Sequence, residues 1–298
     1  EHAAINETVA LSKRVKQAQA SGLVNAVLRK LQKLELEDLL NQSEDDIQRL
    51  SIETSHPQWL LEKWIARYTP DDVSALCSHN NTAPQTWVRR NIQIVGADEF
   101  EGFLDGLEIK HKKSELLDVF YEIGSASSLF STKEFHEGWF SFQDLAAGVV
   151  ASLLDPEAGD TIVDACSAPG GKMAFMSELA GGQAKITACD ASQTRLAKVR
   201  ENIQRLGLKQ VEVQELDAAL APLPKANKIL LDVPCSGTGV LNRRPDARWK
   251  RQESDITSLV GIQSRILTNS WKYLAPGGLL VYATCTLEPD ENWELIDS

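Results

Sequence analysis

The sequence predicts an α/β protein whose C-terminal half is a parallel sheet with helices packed on both faces. From about Phe142 onward, short β-branched runs alternate with helical patterns, and each run ends in a small or polar residue. That alternation is typical of parallel sheets. The runs that fit strands are Thr161–Ala165, Ala184–Cys189, Gln210–Gln214, Lys228–Leu231 and Gly278–Ala283, and a longer helical pattern covers Asp255–Leu274. Ligands of such sheets bind at the carboxyl ends of the strands, so a functional site is expected there.

The first 140 residues have a different pattern, in which helical periodicity dominates and only one run suits a strand. The predicted elements are a helix over 8–31 broken at Gly22, an acidic linker or helix start over 34–54, a helix from His56 to Ile65, a strand over Thr86–Ile94 and a helix over Asp98–Leu107. We therefore predict a helical segment over 1–45, a linker and small α+β region over 46–140, and the parallel-sheet domain over 141–298.

Composition excludes several classes of protein. A chain of 298 residues, 43% hydrophobic and 24% charged, is long enough to bury a sizeable core as one large or two smaller domains. It has no run of 18 apolar residues, which excludes a membrane-spanning helix, and its first ten residues lack the layout of a signal peptide. Five cysteines without close pairs argue against a disulfide scaffold, so a cytoplasmic protein is predicted.

The net charge of −11 at first argues against a nucleic-acid partner, because phosphate binding requires a basic surface. Two short acidic runs account for all of this charge. Residues 34–54 hold seven acids and one base, residues 286–298 hold five acids and no base, and the rest of the chain is balanced at 30 of each. The second run is expected to begin a further helix. Net charge therefore says little about the remaining surface.

The loop after the first predicted strand has the composition of a ligand-binding turn. It consists of Cys166, Ser167, Ala168, Pro169, Gly170, Gly171 and Lys172. Glycines let backbone approach a ligand closely, and a helix N-terminus offers unpaired N–H groups, although a tight strand–helix turn also uses glycine for packing. A phosphate-binding ATPase loop is excluded, because Cys166 and Met173 replace the glycine and the hydroxyl residue that it needs. The dinucleotide fingerprint is also absent.

Aspartates stand at the ends of four consecutive predicted strands. They are Asp164, Asp190, Asp217 and Asp232. Each alone suits a helix cap or a turn. An acid about 20 residues past the glycine turn is placed to bind ribose hydroxyls. Taken with the glycine loop, the four acids favour a nucleoside-bearing cofactor without a pyrophosphate, such as S-adenosylmethionine.

Two cysteines lie beside this predicted site, at the carboxyl ends of the last two strands. Cys77 and Cys189 are interpreted as small buried hydrophobic residues. Cys235 and Cys285 differ in position and context, since both follow a strand directly. The sequence does not favour a zinc site at these two cysteines, because no paired cysteine or nearby histidine would complete the set of ligands. A thiolate nucleophile is the favoured interpretation.

Three of these segments resemble the motifs of RNA (cytosine-5)-methyltransferases: Cys166–Lys172, Leu231–Gly239 and Ala283–Thr286. Asn242–Trp249 and Ser21–Arg29 resemble the bacterial RsmB/Sun/Fmu family, which acts on 16S rRNA. Residues 1 to about 40 resemble the last helices of its NusB-like RNA-binding domain. The resemblance implies a Rossmann-like S-adenosylmethionine-dependent methyltransferase domain, preceded by the small α+β region and the end of the NusB-like domain. Because further strands follow in the family, the chain is expected to be a fragment cut at both ends.

The resemblance also implies roles for individual residues. Cys285 would be the nucleophile, Cys235 would assist release of the methylated base, and Asp232 would stabilise charge that develops on the ring. The implied S-adenosylmethionine site comprises Cys166, Ser167, Ala168, Pro169, Gly170, Gly171, Lys172, Asp190, Asp217 and Asp232. Neither a metal nor a membrane is expected as a partner.

A basic loop follows Cys235 and offers a surface for RNA, although such a loop also suits simple solvation. Its basic residues are Arg243, Arg244, Arg248, Lys250 and Arg251. We therefore expect a monomeric enzyme that methylates C5 of cytosine in small-subunit (16S) rRNA before the ribosome is fully assembled. tRNA and 23S rRNA remain alternative substrates. A non-catalytic RNA-binding factor is the alternative class, and the two positioned cysteines argue against it.

Overall fold

The computed structural model describes residues 2–15, 17–124 and 127–298, and the chain divides into two compact units, Glu1–Thr82 and Ala83–Ser298. Lys16, which falls in the predicted helix over 8–31, lies outside the described residues. Within the described ranges, no helix has the length and apolar character needed to cross a bilayer. The segment boundaries predicted after residues 45 and 140 are based on sequence patterns and not on contacts between residues. They stay predictions.

The first unit is helical, and the predicted long helix is divided earlier than expected. Its helices are α1 His2–Arg14, α2 Ser21–Leu31, α3 Leu36–Leu40, α4 Asp46–Thr54, α5 Gln58–Ile65 and α6 Pro70–Asn80. A 3-10 turn, Ala18–Ala20, precedes α2, so the break predicted at Gly22 is wrong. Gly22 lies in the first turn of α2, where its N–H needs no partner within the helix. The acidic run forms α3 and α4, and Asp45 caps α4 by accepting from the Gln48 N–H at 2.7 Å.

Helices α4 to α6 bury the apolar core of this unit. Leu61, Trp64, Val73 and Cys77 are fully buried, which confirms the interpretation of Cys77 as a small core residue. Helix α6 begins at a capping box in which Thr69 and Asp72 bond each other's backbone, and Pro70 occupies its first position.

The second unit begins with a four-stranded antiparallel sheet. Its elements are β1 Thr86–Arg90, α7 Ala97–Gly106, β2 His111–Lys113, β3 Phe120–Ile123, α8 Lys133–His136 and β4 Phe140–Phe142, and the strand order is β2-β3-β1-β4. This confirms the predicted α+β character. The strand predicted to reach Ile94 ends at Arg90, because the Asn91 side chain accepts from the Gln93 N–H at 3.0 Å and turns the chain.

A five-stranded parallel sheet follows, as predicted. Its elements are α9 Leu145–Leu153, β5 Thr161–Asp164, α10 Gly171–Leu179, β6 Lys185–Asp190, α11 Gln193–Leu206, β7 Val211–Glu215, β8 Ala226–Asp232, α12 Ala247–Lys250, α13 Glu253–Trp271, β9 Leu274–Ala283 and α14 Trp293–Asp297. The strand order is β7-β6-β5-β8-β9, and apolar clusters cover both faces. The order reverses between β5 and β8, so a crevice opens at their carboxyl ends.

A buried ion pair ties the antiparallel sheet to the helix after the glycine loop. Arg89 of β1 lies 2.5 Å from Glu178 of α10, and both side chains have no exposed area. The same guanidinium donates to the Gly171 carbonyl at 3.1 Å and lies over the Phe175 ring. Burial raises the pKa of Glu178, while Arg89 acts in the opposite direction. The start of α10 is thus held against a strand 82 residues earlier in the chain.

Glu178→Gln is expected to lower the free energy of unfolding by about 3 kcal/mol, because Arg89 would keep a buried charge without its carboxylate. Urea unfolding followed by circular dichroism measures the change. Glu137→Gln is the matched control, since Glu137 pairs with Lys133 at the surface and such pairs contribute under about 1 kcal/mol. Equal losses in the two variants would contradict a special role for the buried pair.

Candidate active site

The loop between β5 and α10 is held rigidly at the carboxyl edge of the sheet. Its backbone is tied by the Ser167 N–H to the Cys189 carbonyl at 2.8 Å, and by Arg195 to the Ala168 carbonyl at 2.8 Å. Gly170 has a φ of +98° and caps α10, and a Cβ there would be strained whatever the space around it. The predicted glycine turn is therefore required by backbone conformation, and the N-terminus of α10 points at the same edge.

The aspartates at the strand ends have different surroundings. Asp164 is buried, and the Ser167 hydroxyl and the Cys166 backbone N–H lie close enough to its carboxylate to lower its pKa, although neither makes a hydrogen bond of normal geometry. Burial, reinforced by the neighbouring charge of Asp232, raises the pKa of Asp164 to about 7. Asp190 is also buried, and it accepts from the Ser192 N–H at 3.0 Å. Asp217 is exposed and caps a turn by accepting from the Ala219 N–H at 2.9 Å.

Lys172 and Asp232 form the ion pair at the centre of the crevice. The Lys172 ammonium lies 2.6 Å from the Asp232 carboxylate, and both side chains are partly buried. Lys172 comes from the first turn of α10 and Asp232 from the end of β8. The pair therefore joins the glycine loop to the strand that leads to Cys235.

The two predicted cysteines meet. The sulfur atoms of Cys235 and Cys285 are 3.2 Å apart, and the Cys285 N–H donates to the Cys235 sulfur at 3.3 Å. The hydrogen bond from Cys235 lowers the pKa of Cys285 to about 7, helped by Arg244 and opposed by burial and Asp232. The same pairing raises the pKa of Cys235. The arrangement suits one thiolate, on Cys285, that accepts a hydrogen bond from a neutral thiol.

The other two cysteines near the sheet behave as buried thiols. Cys189 is fully buried in β6, as predicted, and burial raises its pKa to about 12. Cys166 in the glycine loop also has a raised pKa, caused by burial and then by Asp164. Neither is suited to act as a nucleophile at neutral pH.

A buried polar network behind the cysteines was not predicted from the sequence. Glu288 and Glu291 are fully buried, although they belong to the acidic run interpreted as the start of a helix. A helix, α14, does begin within that run, and the 3-10 turn Pro289–Glu291 precedes it. Ser236 and Thr286 complete the network, with their hydroxyl oxygens 2.6 Å apart. An acidic residue followed by apolar residues at a chain end carries no signal that distinguishes a buried carboxylate from a solvated one.

Some basic residues of the loop after Cys235 are exposed to solvent, and others are buried or bonded to other parts of the protein. Arg244 is exposed, and Lys250 is exposed but paired with Asp246 at 2.7 Å. Arg243 pairs with Asp144. Arg248 is buried, and Arg251 donates to the Cys235 carbonyl at 3.3 Å. The buried position of Arg248 and the backbone contact of Arg251 favour structural roles in the folded chain, whereas RNA contacts by this loop stay a prediction.

Comparison with known families matches three parts of the chain. Residues 151–298 match the model described as "16S rRNA methyltransferase RsmB/F". Residues 56–119 match the ferredoxin-like domain of RsmF/B-like methyltransferases, and residues 1–33 match the NusB family. The first match includes β5 to β9, the second includes α5 to β2, and the third lies within the helical first unit.

Individual relatives cover nearly the whole chain. Ribosomal RNA small subunit methyltransferase B of Enterobacter sp. (strain 638) is 36% identical over 99% of this chain and 68% of its own length. The protein of the same name from Erwinia tasmaniensis is 38% identical over 98% of this chain and 67% of its own. The crystal structure of PH0851 superimposes with a TM-score of 0.87 at 26% identity, covering 96% of this chain and 64% of that one.

Asp164→Asn is expected to stabilise the protein above neutral pH. Because the pKa of Asp164 rises on folding from 3.8 to about 7, the folded state favours the protonated acid, and stability falls as pH rises through this window. At pH 8 the neutral amide would raise the free energy of unfolding by about 2–4 kcal/mol, with a much smaller gain at pH 5. Urea unfolding at both pH values measures this. Exposed Asp118 provides the control Asp118→Asn, and a pH-independent gain in Asp164→Asn would contradict the burial argument.

Proposed function

The chain belongs to the 16S rRNA methyltransferase RsmB/F family, and from that premise we propose that it transfers a methyl group from S-adenosylmethionine to C5 of a cytosine in 16S rRNA. The contact of 3.2 Å between the Cys235 and Cys285 sulfurs carries the proposal. A thiolate beside a neutral thiol and a carboxylate is suited to attack on a pyrimidine ring, and simple methyl transfer to an oxygen or an amine needs no such pair.

The residues at the carboxyl edge of the sheet fit S-adenosylmethionine. Asp190 and Asp217 follow neighbouring strands and present carboxylate oxygens, which accept from hydroxyl and amino groups of a nucleoside. The buried carboxylate of Asp164 ends β5, the next strand of the sheet. The loop Cys166–Lys172 provides the backbone wall, with Gly170 bare of a side chain. Bound here, the cofactor supplies an electrophilic methyl group.

Cys285 performs the covalent step. Cytosine C5 is a weak nucleophile, so the Cys285 thiolate first adds to C6 and forms a sulfur–carbon bond, which makes C5 enamine-like. C5 then takes the methyl group as the sulfur–methyl bond of the cofactor breaks with its electron pair on sulfur, which leaves S-adenosylhomocysteine, and C5 becomes tetrahedral. The target base has to leave its stack to reach the crevice, which favours RNA that is not yet in a fully assembled ribosome.

Asp232 and Lys172 act on the charge of the ring. The carboxylate of Asp232 is held by Lys172 at 2.6 Å, beside the sulfur pair. Placed near N3 of the cytosine, Asp232 accepts a hydrogen bond from N3 that has taken a proton from solvent, and the ring is neutralised when the thiolate adds to C6. Lys172 fixes the direction of that carboxylate.

Cys235 assists release. A water molecule takes the C5 proton, and the electron pair of that C–H bond re-forms the C5–C6 double bond. The bond between C6 and the Cys285 sulfur breaks with its electron pair on sulfur, and the N3 proton returns to solvent. The raised pKa of Cys235 keeps it a neutral thiol. Its S–H donates to the departing Cys285 sulfur, as in the free site, and stabilises the thiolate as it leaves.

RNA would approach over the basic loop. Arg244 is exposed and close enough to Cys285 for its charge to lower the pKa of that thiol. The adjacent Trp249 is also exposed and offers a ring for base stacking. Arg243 and Lys250 add positive charge at the same loop, and their carboxylate partners are replaceable by phosphate.

Cys285→Ala is expected to abolish methyl transfer, because no other thiol in the crevice has a lowered pKa. Cells that lack the gene are complemented with the wild-type gene or with the variant, and bisulfite sequencing of total RNA measures 5-methylcytosine. The wild type should restore one or more sites in 16S rRNA and the variant none. If 5-methylcytosine returns in tRNA or 23S rRNA instead, that RNA is the substrate. If the Cys285→Ala variant restores 5-methylcytosine, Cys285 is not the nucleophile.

Cys235→Ala is expected to accumulate a covalent protein–RNA adduct, because release of Cys285 would lose its hydrogen-bond donor while attack on C6 continues. Purified protein is incubated with RNA and S-adenosylmethionine and separated on a denaturing gel. The band of retarded protein should be several-fold stronger than in the wild type. The double variant Cys235→Ala/Cys285→Ala is the control, and a retarded band there would assign the adduct to another residue.

A further inference from the structure

We propose that Glu291 is a positioning residue that holds the Cys235 and Cys285 sulfur atoms in contact. Among the described contacts it bonds neither sulfur, and it binds the backbone on both sides of Cys235 through Ser236 and Gln263, while its charge also raises the pKa of Cys235. The inference concerns the same site as the proposed function and rests on it for its link to turnover. The arrangement of the two thiols can nevertheless be measured without RNA.

The Glu291 carboxylate binds the loop that carries Cys235. One oxygen accepts from the Ser236 N–H at 2.8 Å and from the Gln263 side-chain amide at 2.9 Å, and the other accepts from the Ser236 hydroxyl. Gln263 of α13 also donates to the Pro234 carbonyl at 2.9 Å. Both neighbours of Cys235 in the chain are therefore connected to one carboxylate.

The main chain of Glu291 is in turn bound to the segment that carries Cys285. The Tyr282 hydroxyl, near the end of β9, donates to the Glu291 carbonyl at 2.9 Å. The next residue, Asn292, donates to the Thr286 carbonyl at 3.2 Å and to the Glu288 carbonyl at 3.0 Å. The carboxylate thus links the Cys235 loop to a turn that is built on residues directly before and after Cys285.

Burial makes this link strong and directional. Glu291, Ser236 and Gln263 are all buried, so water cannot replace the lost partners if the carboxylate is removed. Hydrogen bonds to an ionised acceptor are stronger than neutral ones, and three donors converge on this one. Without the carboxylate, the Ser236 N–H and one N–H of the Gln263 amide would be left unsatisfied in the interior, and the Cys235 loop would shift to find new partners.

Glu288, the other buried acid of the segment, is less suited to this role. Its carboxylate accepts from the Thr238 hydroxyl at 3.1 Å, three residues beyond Cys235 and past Gly237. Glu291 instead contacts the residue next to Cys235. We therefore expect the distance between the two sulfur atoms to depend more on Glu291 than on Glu288.

The pH dependence of Cys285 alkylation tests the proposal. Wild type, Glu291→Gln, Glu291→Ala and the control Glu294→Gln, an exposed acid of the same segment, react with iodoacetamide in the absence of RNA. Peptide mass spectrometry quantifies modification of Cys285. The wild type and Glu294→Gln should have a midpoint near pH 7, where the hydrogen bond from Cys235 sets it. In Glu291→Ala the midpoint should rise by about one pH unit, toward that of an ordinary thiol, with Glu291→Gln between them.

Steady-state kinetics with RNA provide the second measurement. A displaced thiol pair is expected to lower kcat of Glu291→Ala by about 10- to 100-fold with little change in KM for RNA. An unshifted alkylation midpoint in folded Glu291→Ala, verified by circular dichroism, would overturn the proposal even if activity fell. If Glu291→Ala does not fold, the pH midpoints of Cys285 alkylation in Glu291→Gln and Ser236→Ala test the proposal in its place.

These outcomes separate the inference from the proposed function. If wild-type protein transfers no methyl group to any RNA, the proposed function fails, and the alkylation midpoints still decide whether Glu291 positions the thiols. If the wild type is active and the midpoints coincide in all variants, the positioning role alone fails.

Discussion

The parallel register of β8 against β9 is the constraint on which the rest of the site depends. Asp232 lies opposite Ala283, so the two strands end at the same level of the sheet. Cys235 follows three residues after Asp232, and Cys285 follows two residues after Ala283. Two sulfur atoms that are 50 residues apart in the chain are thereby brought to 3.2 Å. A slip of the register by one residue would separate them and reverse the faces of β9.

The electrostatics of the crevice follow from this geometry. Four strand ends bring carboxylates to one edge, where burial makes charge costly and raises the pKa of Asp164. Lys172 offsets the charge of Asp232, and the hydrogen bond from Cys235 lowers the pKa of Cys285. The buried pair of Arg89 and Glu178 fixes the start of α10, from which Lys172 extends. The site is therefore supported by the antiparallel sheet as well as by the parallel one.

Sequence patterns predicted the elements well wherever local rules and burial agree. All five strands of the parallel sheet lie within a few residues of the predicted runs. For the central strands β5, β6 and β8 the reason is burial, because a largely buried strand is a short apolar run between turns. The same patterns failed where a single contact determines the end of an element. Asn91 ends β1 through its own side chain, and the division before α2 has no glycine or proline to signal it. The basic loop predicts a surface position for Arg248, whereas this side chain is buried, because such a loop has the same composition whether its side chains face water or the interior.

The sequence by itself determined the chemistry of this protein: the α/β class, the glycine loop, the aspartates at the strand ends, and two cysteines whose motifs resemble one methyltransferase family. These are local properties, since residue type and position relative to a strand are visible along the chain. Only the tertiary structure decided which thiol carries the lowered pKa and which acids are buried behind the pair. Those properties depend on distances between segments that are far apart in sequence, and on the exclusion of water that packing alone produces.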